Sequence, residues 1–354
     1  MPLPVLDIGA QESLTRFAER IFSSMPRSDQ RRRAGAYLHG LLATPGRKSV
    51  NKIAAQTADG PVAPHSMRQF VNDSSWEWSP VRRELAHWVA ERTAARAWTL
   101  GIAVLAKRGV HSAGVHRRFV PSVGRSVNCQ VAVGLFLTGD TDAVPVDWSL
   151  LLPDSWASDP HRRSRARIPP EAVRPLEHEA VALLDAQPDA WGFNSLPVVA
   201  DLSACGHALH LVRGLVRRRR EYVVGLAHPP AAPPDGPRPP GAAAEGHLPD
   251  VLPGRQRHFT APETARSLSA PTWTSNMTRL RTADLRALAG LDRHTRRAVR
   301  RLEEGFGLLD FEGRSYPGWH HHMTMVSAAF AFSRLGLRAG RPPTAVRDGC
   351  TAGT

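Results

Sequence analysis

Two places in this sequence put reactive side chains where a fold could use them. The first is the run from Phe311 to His322, read Phe-Glu-Gly-Arg-Ser-Tyr-Pro-Gly-Trp-His-His-His. Glu312 and Arg314 stand two residues apart, an aromatic-Pro-Gly-Trp turn follows, and three histidines precede the apolar run Met323 to Phe332. A core helix does not need that density of polar groups at its entrance. Glu312 reads either as a functional carboxylate or as an acid paired with Arg314 at a helix start, where the macrodipole favours it. The histidines do not read as a zinc site, because adjacent residues on a helix point in different directions and ligands must converge. One packing on the sheet, one meeting phosphate and one in solvent is the expected division. The second place is Asp201, which ends the apolar stretch Pro197-Val198-Val199-Ala200 and opens a loop into a helix. Open α/β sheets hold ligands at such strand ends; Asp is also a preferred helix N-cap. No Gly-rich phosphate loop, Gly-x-Ser-x-Gly elbow or Cys/His nucleophile constellation is present, so other enzyme classes find no positive support.

The elements that must position these residues fall into regions. Within residues 1–95, Leu14, Phe17, Ala18, Ile21 and Phe22 recur at helical spacing, as do Val81, Leu85, Trp88 and Val89. Several short helices with basic connectors suit a helix-turn-helix-like DNA-binding module. From residue 97 the period changes. Apolar runs at 98–105, 127–137 and 144–152, punctuated by Gly and Pro, read as strands. A helix at 171–186, the strand ending at Asp201, a helix near 206–217 and a strand at 221–226 complete a mixed α/β sheet over 96–336. Nine prolines fall within residues 228–256, a composition that reads as a flexible insertion. The tail from 337 to 354 is Pro/Gly-rich and reads as flexible too.

Of 354 residues, 46 are Lys or Arg against 32 acids, a net charge of +14. Such a balance favours a polyanionic partner, and double-stranded DNA is the expectation. Arginine clusters at Arg31–Arg33, Arg217–Arg220 and Arg296–Arg301 argue for a patterned footprint. The three cysteines follow no metal spacing and suggest a reducing compartment. No apolar run approaches the ~20 residues that span a bilayer, and the N-terminus has no signal-peptide pattern. A cytoplasmic protein without a membrane partner is expected.

Eight segments in order resemble the DDE-type transposases of bacterial insertion sequences. They are Asp29-Gln30-Arg31-Arg32, Thr44 to Ser49, Phe70-Val71-Asn72 with Trp76 and Trp78, His111 to Val115, Asn128 to Val133, Val146-Asp147-Trp148 with Leu152-Pro153, Val198 to Asp201, and the Glu312 to His322 run. The resemblance implies a ribonuclease H-like domain behind a helical DNA-binding region. It implies DNA cleavage and strand transfer at the element's ends by two Mg²⁺ or Mn²⁺ ions that bridge attacking and leaving oxygens. A homodimer on DNA is an arrangement it allows.

By the same resemblance Asp201 corresponds to the second catalytic carboxylate and metal ligand. The third is Glu312, also a metal ligand, or Glu303 or Glu304 on the preceding helix. The family's first Asp falls at Gly101, and no acid occurs between Glu91 and Asp140; Asp140 or Asp142 would have to substitute from a turn. DNA contacts are expected from Arg31, Arg32, Arg33, Arg47, Lys48, Lys52, Arg314 and His320. Two functions follow: a DNA-cutting transposase, impaired by Gly101, or an inactive, domesticated or decaying descendant that binds DNA without cutting.

Overall fold

The computed structural model describes residues 8–57, 60–120, 124–187, 195–204, 208–226, 255–260 and 271–336. The Pro-rich stretch at 228–254 and the tail from 337 lie outside these residues.

Runs of apolar and β-branched residues become strands as their composition dictates. β1 (Ala97–Ala106) pairs antiparallel with β3 (Arg125–Thr138), and β3 antiparallel with β4 (Ala143–Leu151). On its other side β1 lies parallel to β5 (Val198–Asp201), which is parallel to β6 (Tyr222–Leu226). The resulting order, β4-β3-β1-β5-β6, has three antiparallel strands and then two parallel to the first. That is the ribonuclease H-like arrangement. β2 (His116–Val120) pairs with the start of β3, while β8 (Thr272–Ser275) and β7 (Arg257–Thr260) extend the sheet beyond β6.

Five helices precede the sheet: α1 (Ile8–Ile21), α2 (Ser28–Ala43), α3 (Val50–Ala55), α4 (Pro64–Asn72) and α5 (Trp78–Ala90). Each buries the apolar stripe its spacing specifies: Leu14, Phe17 and Ile21 on α1, and Val81, Leu85, Trp88 and Val89 on α5. α6 (Asp154–Ala157) and α7 (Pro160–Arg165) follow β4, α8 (Leu176–Asp185) precedes β5, and α9 (Ala208–Arg217) links β5 to β6. α10 (Thr282–Ala289) and α11 (Asp292–Gly305) then return over the sheet, α11 touching β1, β3, β4 and β5.

α12 (Tyr316–Ala331) is the pivot of the packing. Ser315 caps it, its side chain accepting from the Gly318 amide, and Pro317 occupies the first turn. Every residue of the helix from Gly318 to Ala331 is buried, and from Met323 onwards all but Thr324 and Ser327 are apolar, so it belongs inside. It touches β4 on one side and α2, α4 and α5 on the other, and one continuous core of buried residues runs through both. Arg82 on α5 bolts the three layers together. Its guanidinium, 2% exposed, donates to Asp147 Oδ1 at 2.6 Å, Trp148 O at 2.7 Å, Thr324 Oγ1 at 2.7 Å and His320 O at 2.9 Å. A buried charge is tolerable only when its donors are satisfied in this way. Among the described residues no helix is long and apolar enough to cross a membrane.

Candidate functional site

The parallel register fixes the neighbour of Asp201. Trp98 lies beside Val198, Thr99 beside Val199 and Leu100 beside Ala200. The pairing ends there, and the same register continued by one residue sets Gly101 alongside Asp201. On the antiparallel side Gly101 stands opposite Gly134. Two glycines abreast leave a trough, and it is filled. A methyl group at 101 would lie 2.8 Å from Thr295 Cγ2 and 3.0 Å from a Phe136 ring carbon, with Val299 at 3.4 Å. One at 134 would meet Trp148 at 2.7 Å and Phe136 at 2.8 Å. Thr295 and Val299 descend from α11, and Phe136 and Trp148 close in from β3 and β4.

Asp201 itself is engaged. Its Oδ1 accepts from the Ser203 amide at 3.0 Å, a local turn that aims the carboxylate. Its Oδ2 accepts from Arg296, which also binds the carboxylate of Asp292. Asp292 opens α11 and is 5% exposed. Burial pushes its carboxyl up to about 6; Arg296 pulls down and the Asp201 charge adds to the rise. Desolvation therefore outweighs the ion pair. A guanidinium thus stands between two carboxylates where strand ends and covering helix converge.

The donor set does not suit a pair of divalent ions. Two carboxylates converge, one cation already bridges them, and Gly101 contributes no oxygen. Among the described residues no group of three His, Cys, Asp or Glu side chains could hold a metal. Asp140 pairs with Arg96, and Asp142 with Arg334 and Arg301, at the end of the sheet where β1 begins.

The three candidate glutamates differ in their surroundings. Glu312 is paired with Arg47 at 3.2 Å, and the neighbouring Asp310 accepts from the Lys48 amide at 2.7 Å. Glu304 is exposed on α11. Glu303 is half-buried, its carboxyl pushed up by burial and then by Glu304. It follows Thr295 and Val299 at intervals of four, so it continues the helix stripe that covers Gly101, about 6 Å further along. Among the described residues no hydrogen bond or ion pair joins Asp201 to any of the three.

The histidines depart from their expected division, since all three are inside: His320 is 3%, His321 1% and His322 1% exposed. Placed on a helix covered from both sides, none can meet solvent or phosphate. His320 stacks on Trp78 at 4.5 Å, against Tyr316 and Trp319. His321 stacks on Trp76 at 3.9 Å, its nitrogens facing the carbonyls of Val71 at 2.8 Å and Trp76 at 2.9 Å. His322 Nε2 donates to Gly307 O at 2.8 Å, which leaves Nδ1 to accept from the Tyr37 hydroxyl at 3.1 Å. Burial holds all three well below the usual imidazole range.

The expected DNA-contacting cations are similarly sorted. Lys48 is 3% exposed and its ammonium donates to Thr44 O, so it is internal. Arg31 donates to Met25 O and Arg33 pairs with Asp29 at 3.0 Å. Arg47 is exposed but shared with Asp310 and Glu312. Arg32, Lys52 and Arg314 are exposed. Arg314 lines a cleft of about 360 Å³ with Val110, His111, Trp156, Asp159, His161, Arg162, Arg165 and Ala166. Two features escaped the sequence reading: the Asp292–Arg296 pair, visible only as an i, i+4 spacing, and the basic run His161 to Arg167.

The family model described as DDE superfamily endonuclease matches residues 20–294 of this chain; Glu303, Glu304 and Glu312 lie beyond the match. A solved structure, the "Cryo-EM structure of piggyBac transposase synaptic complex with hairpin DNA", aligns with a TM-score of 0.40 and 10% identity, covering 96% of this chain and 75% of that one. No curated protein matches.

Proposed function

The chain belongs to the DDE superfamily of endonucleases, and from that membership we propose a transposase-type protein that grips double-stranded DNA and does not cut it. One arrangement carries this reading: Gly101 beside Asp201, with Thr295, Phe136 and Val299 occupying the space a side chain would need. Two divalent ions held about 3.5–4 Å apart repel strongly and need dense negative charge around them. Here the two converging carboxylates are already served by Arg296. The protein's own cation does the neutralising, and the centre is structural.

Cleavage of plasmid and linear duplex in Mg²⁺ and in Mn²⁺ tests this. Wild-type protein and Asp201→Ala should both leave the DNA intact while retarding it on a gel. Cutting by the wild type that Asp201→Ala abolishes would overturn the reading.

The positive charge on the N-terminal helices supports the DNA partner, and placement refines which residues carry it. Reversing Arg32 and Lys52 to Glu should weaken duplex binding and reduce the log–log salt slope by roughly 1 for each phosphate no longer neutralised. Lys48→Gln should leave that slope unchanged, because its ammonium never reaches the surface. Anisotropy titrations between 50 and 200 mM salt, the roughly appropriate window, distinguish these outcomes. An unchanged slope in the Arg32/Lys52 variant would remove the N-terminal footprint.

A further inference from the structure

The cleft beside α7 gathers cations. Arg162, Arg165 and Arg314 line it with His111 and His161, against the single carboxylate of Asp159. That carboxylate is committed, accepting from the Arg162 amide at 2.8 Å as the cap of α7. Elsewhere arginines meet acids: Arg20 meets Glu84 and Glu91, Arg218 meets Asp185, and Arg167 meets Asp73. Within the cleft, Arg165 and Arg314 have no side-chain ion pair among the described residues.

The walls are held before anything binds. The Arg162 guanidinium lies over the Trp156 ring, 3.8 Å from its centroid, and one of its nitrogens donates to Val110 O at 2.9 Å. Trp156 in turn donates to Val115 O at 2.9 Å. The 110–115 segment is tied to the segment that carries Arg314 by Ala113 N to Arg314 O and Ser112 Oγ to Gly313 O, both 3.0 Å. Tyr316 N donates to Ala166 O at 2.7 Å, fixing the far wall. A stacked guanidinium keeps most of its five donors free, and a rigid frame lowers the ordering cost of binding.

We propose that this cleft is a phosphate-binding site, separate from the Asp201 centre. Guanidinium forks match phosphate oxygens in geometry and charge. The volume, about 360 Å³, is roughly a dozen water volumes, room for a phosphate with the sugar attached to it. The phosphate belongs either to a nucleic-acid strand or to a free nucleotide or phosphate. Only the nucleic-acid source rests on the DNA-binding reading above.

The test uses inorganic pyrophosphate and duplex DNA as probes, on wild type and Arg165→Glu/Arg314→Glu, each checked for a wild-type circular dichroism spectrum. Pyrophosphate should raise the melting temperature of the wild type beyond chloride at matched ionic strength, and the double variant should bind it at least tenfold more weakly. Competition of pyrophosphate with duplex, and a matching loss of duplex affinity in the variant, assigns the phosphate to DNA. Pyrophosphate binding with unchanged duplex affinity assigns it to a free anion. No effect of pyrophosphate beyond ionic strength, or equal binding by wild type and variant, overturns the site. Because Arg32 and Lys52 lie outside the cleft, duplex binding surviving such a failure would leave the DNA reading intact.

Discussion

Gly101→Asp should destabilise the protein and fail to confer cleavage, although it supplies an acid where the sequence resemblance leads one to expect the first catalytic Asp. The Cβ alone would stand 2.8 Å from Thr295 and 3.0 Å from Phe136, and overpacking of that kind costs about 1–3 kcal/mol. The carboxylate would then lie among Val299, Phe136 and Thr295 without a cation, since Arg296 is committed to Asp201 and Asp292. An uncompensated buried charge adds several kcal/mol in effective penalty. Urea unfolding should show the loss, and Gly101→Ala should show the steric share alone. A triple variant with Thr295→Ala and Arg296→Ala opens the space and frees Asp201. Any cutting in Mn²⁺ should come from that variant and not from the single change. A stable Gly101→Asp protein that cuts DNA would sink the argument.

Acid should unfold this protein earlier than its composition suggests. The imidazoles of His321 and His322 are held down to about 4 by burial, and an unfolded imidazole titrates near 6.5. Their contribution is therefore complete above pH 6.5 and is lost as pH falls from 6.5 towards 4. Each amounts to roughly 3 kcal/mol over that window, about 6 together. Asp292 works the other way: its carboxyl, raised to about 6, favours the folded state as pH falls from 6 towards 4, by about 3 kcal/mol at most. The histidines win. Urea midpoints should fall between pH 6.5 and 4.5, and a flat or rising trend would contradict the assignment. His322→Gln keeps a donor for Gly307 and an acceptor for Tyr37, and should flatten the slope.

Much of the sheet could be read directly. β1, β3, β4, β5 and β6 coincide with apolar runs bounded by turn residues, because strand burial needs only local composition to be visible. Asp201 was legible for the same reason, as an acid ending a short apolar strand. The mixed sheet with flanking helices follows from the same pattern. The placement of Lys48 and His320 was not. Residue type suggested surface chemistry, but both side chains are enclosed, and enclosure is a property of packing between segments distant in sequence. Asp292 and Arg296 carry no signal in the sequence beyond their i, i+4 spacing on a basic helix. Only the sheet beneath α11 makes one of them internal and joins the other to Asp201.

The position of α12 sets a timetable for synthesis. His321 meets the carbonyl of Val71 across 250 residues of sequence, and His322 meets Tyr37 across 285. A ribosome adding about 5–20 residues per second delivers α2 and α4 roughly 15–60 s before the helix that covers them. Throughout that interval Tyr37 and Trp76 lack their partners His322 and His321. Nascent chains of this protein should therefore lean on holding chaperones, and messages interrupted before α12 should yield products that aggregate or are degraded rather than a free-standing helical fragment.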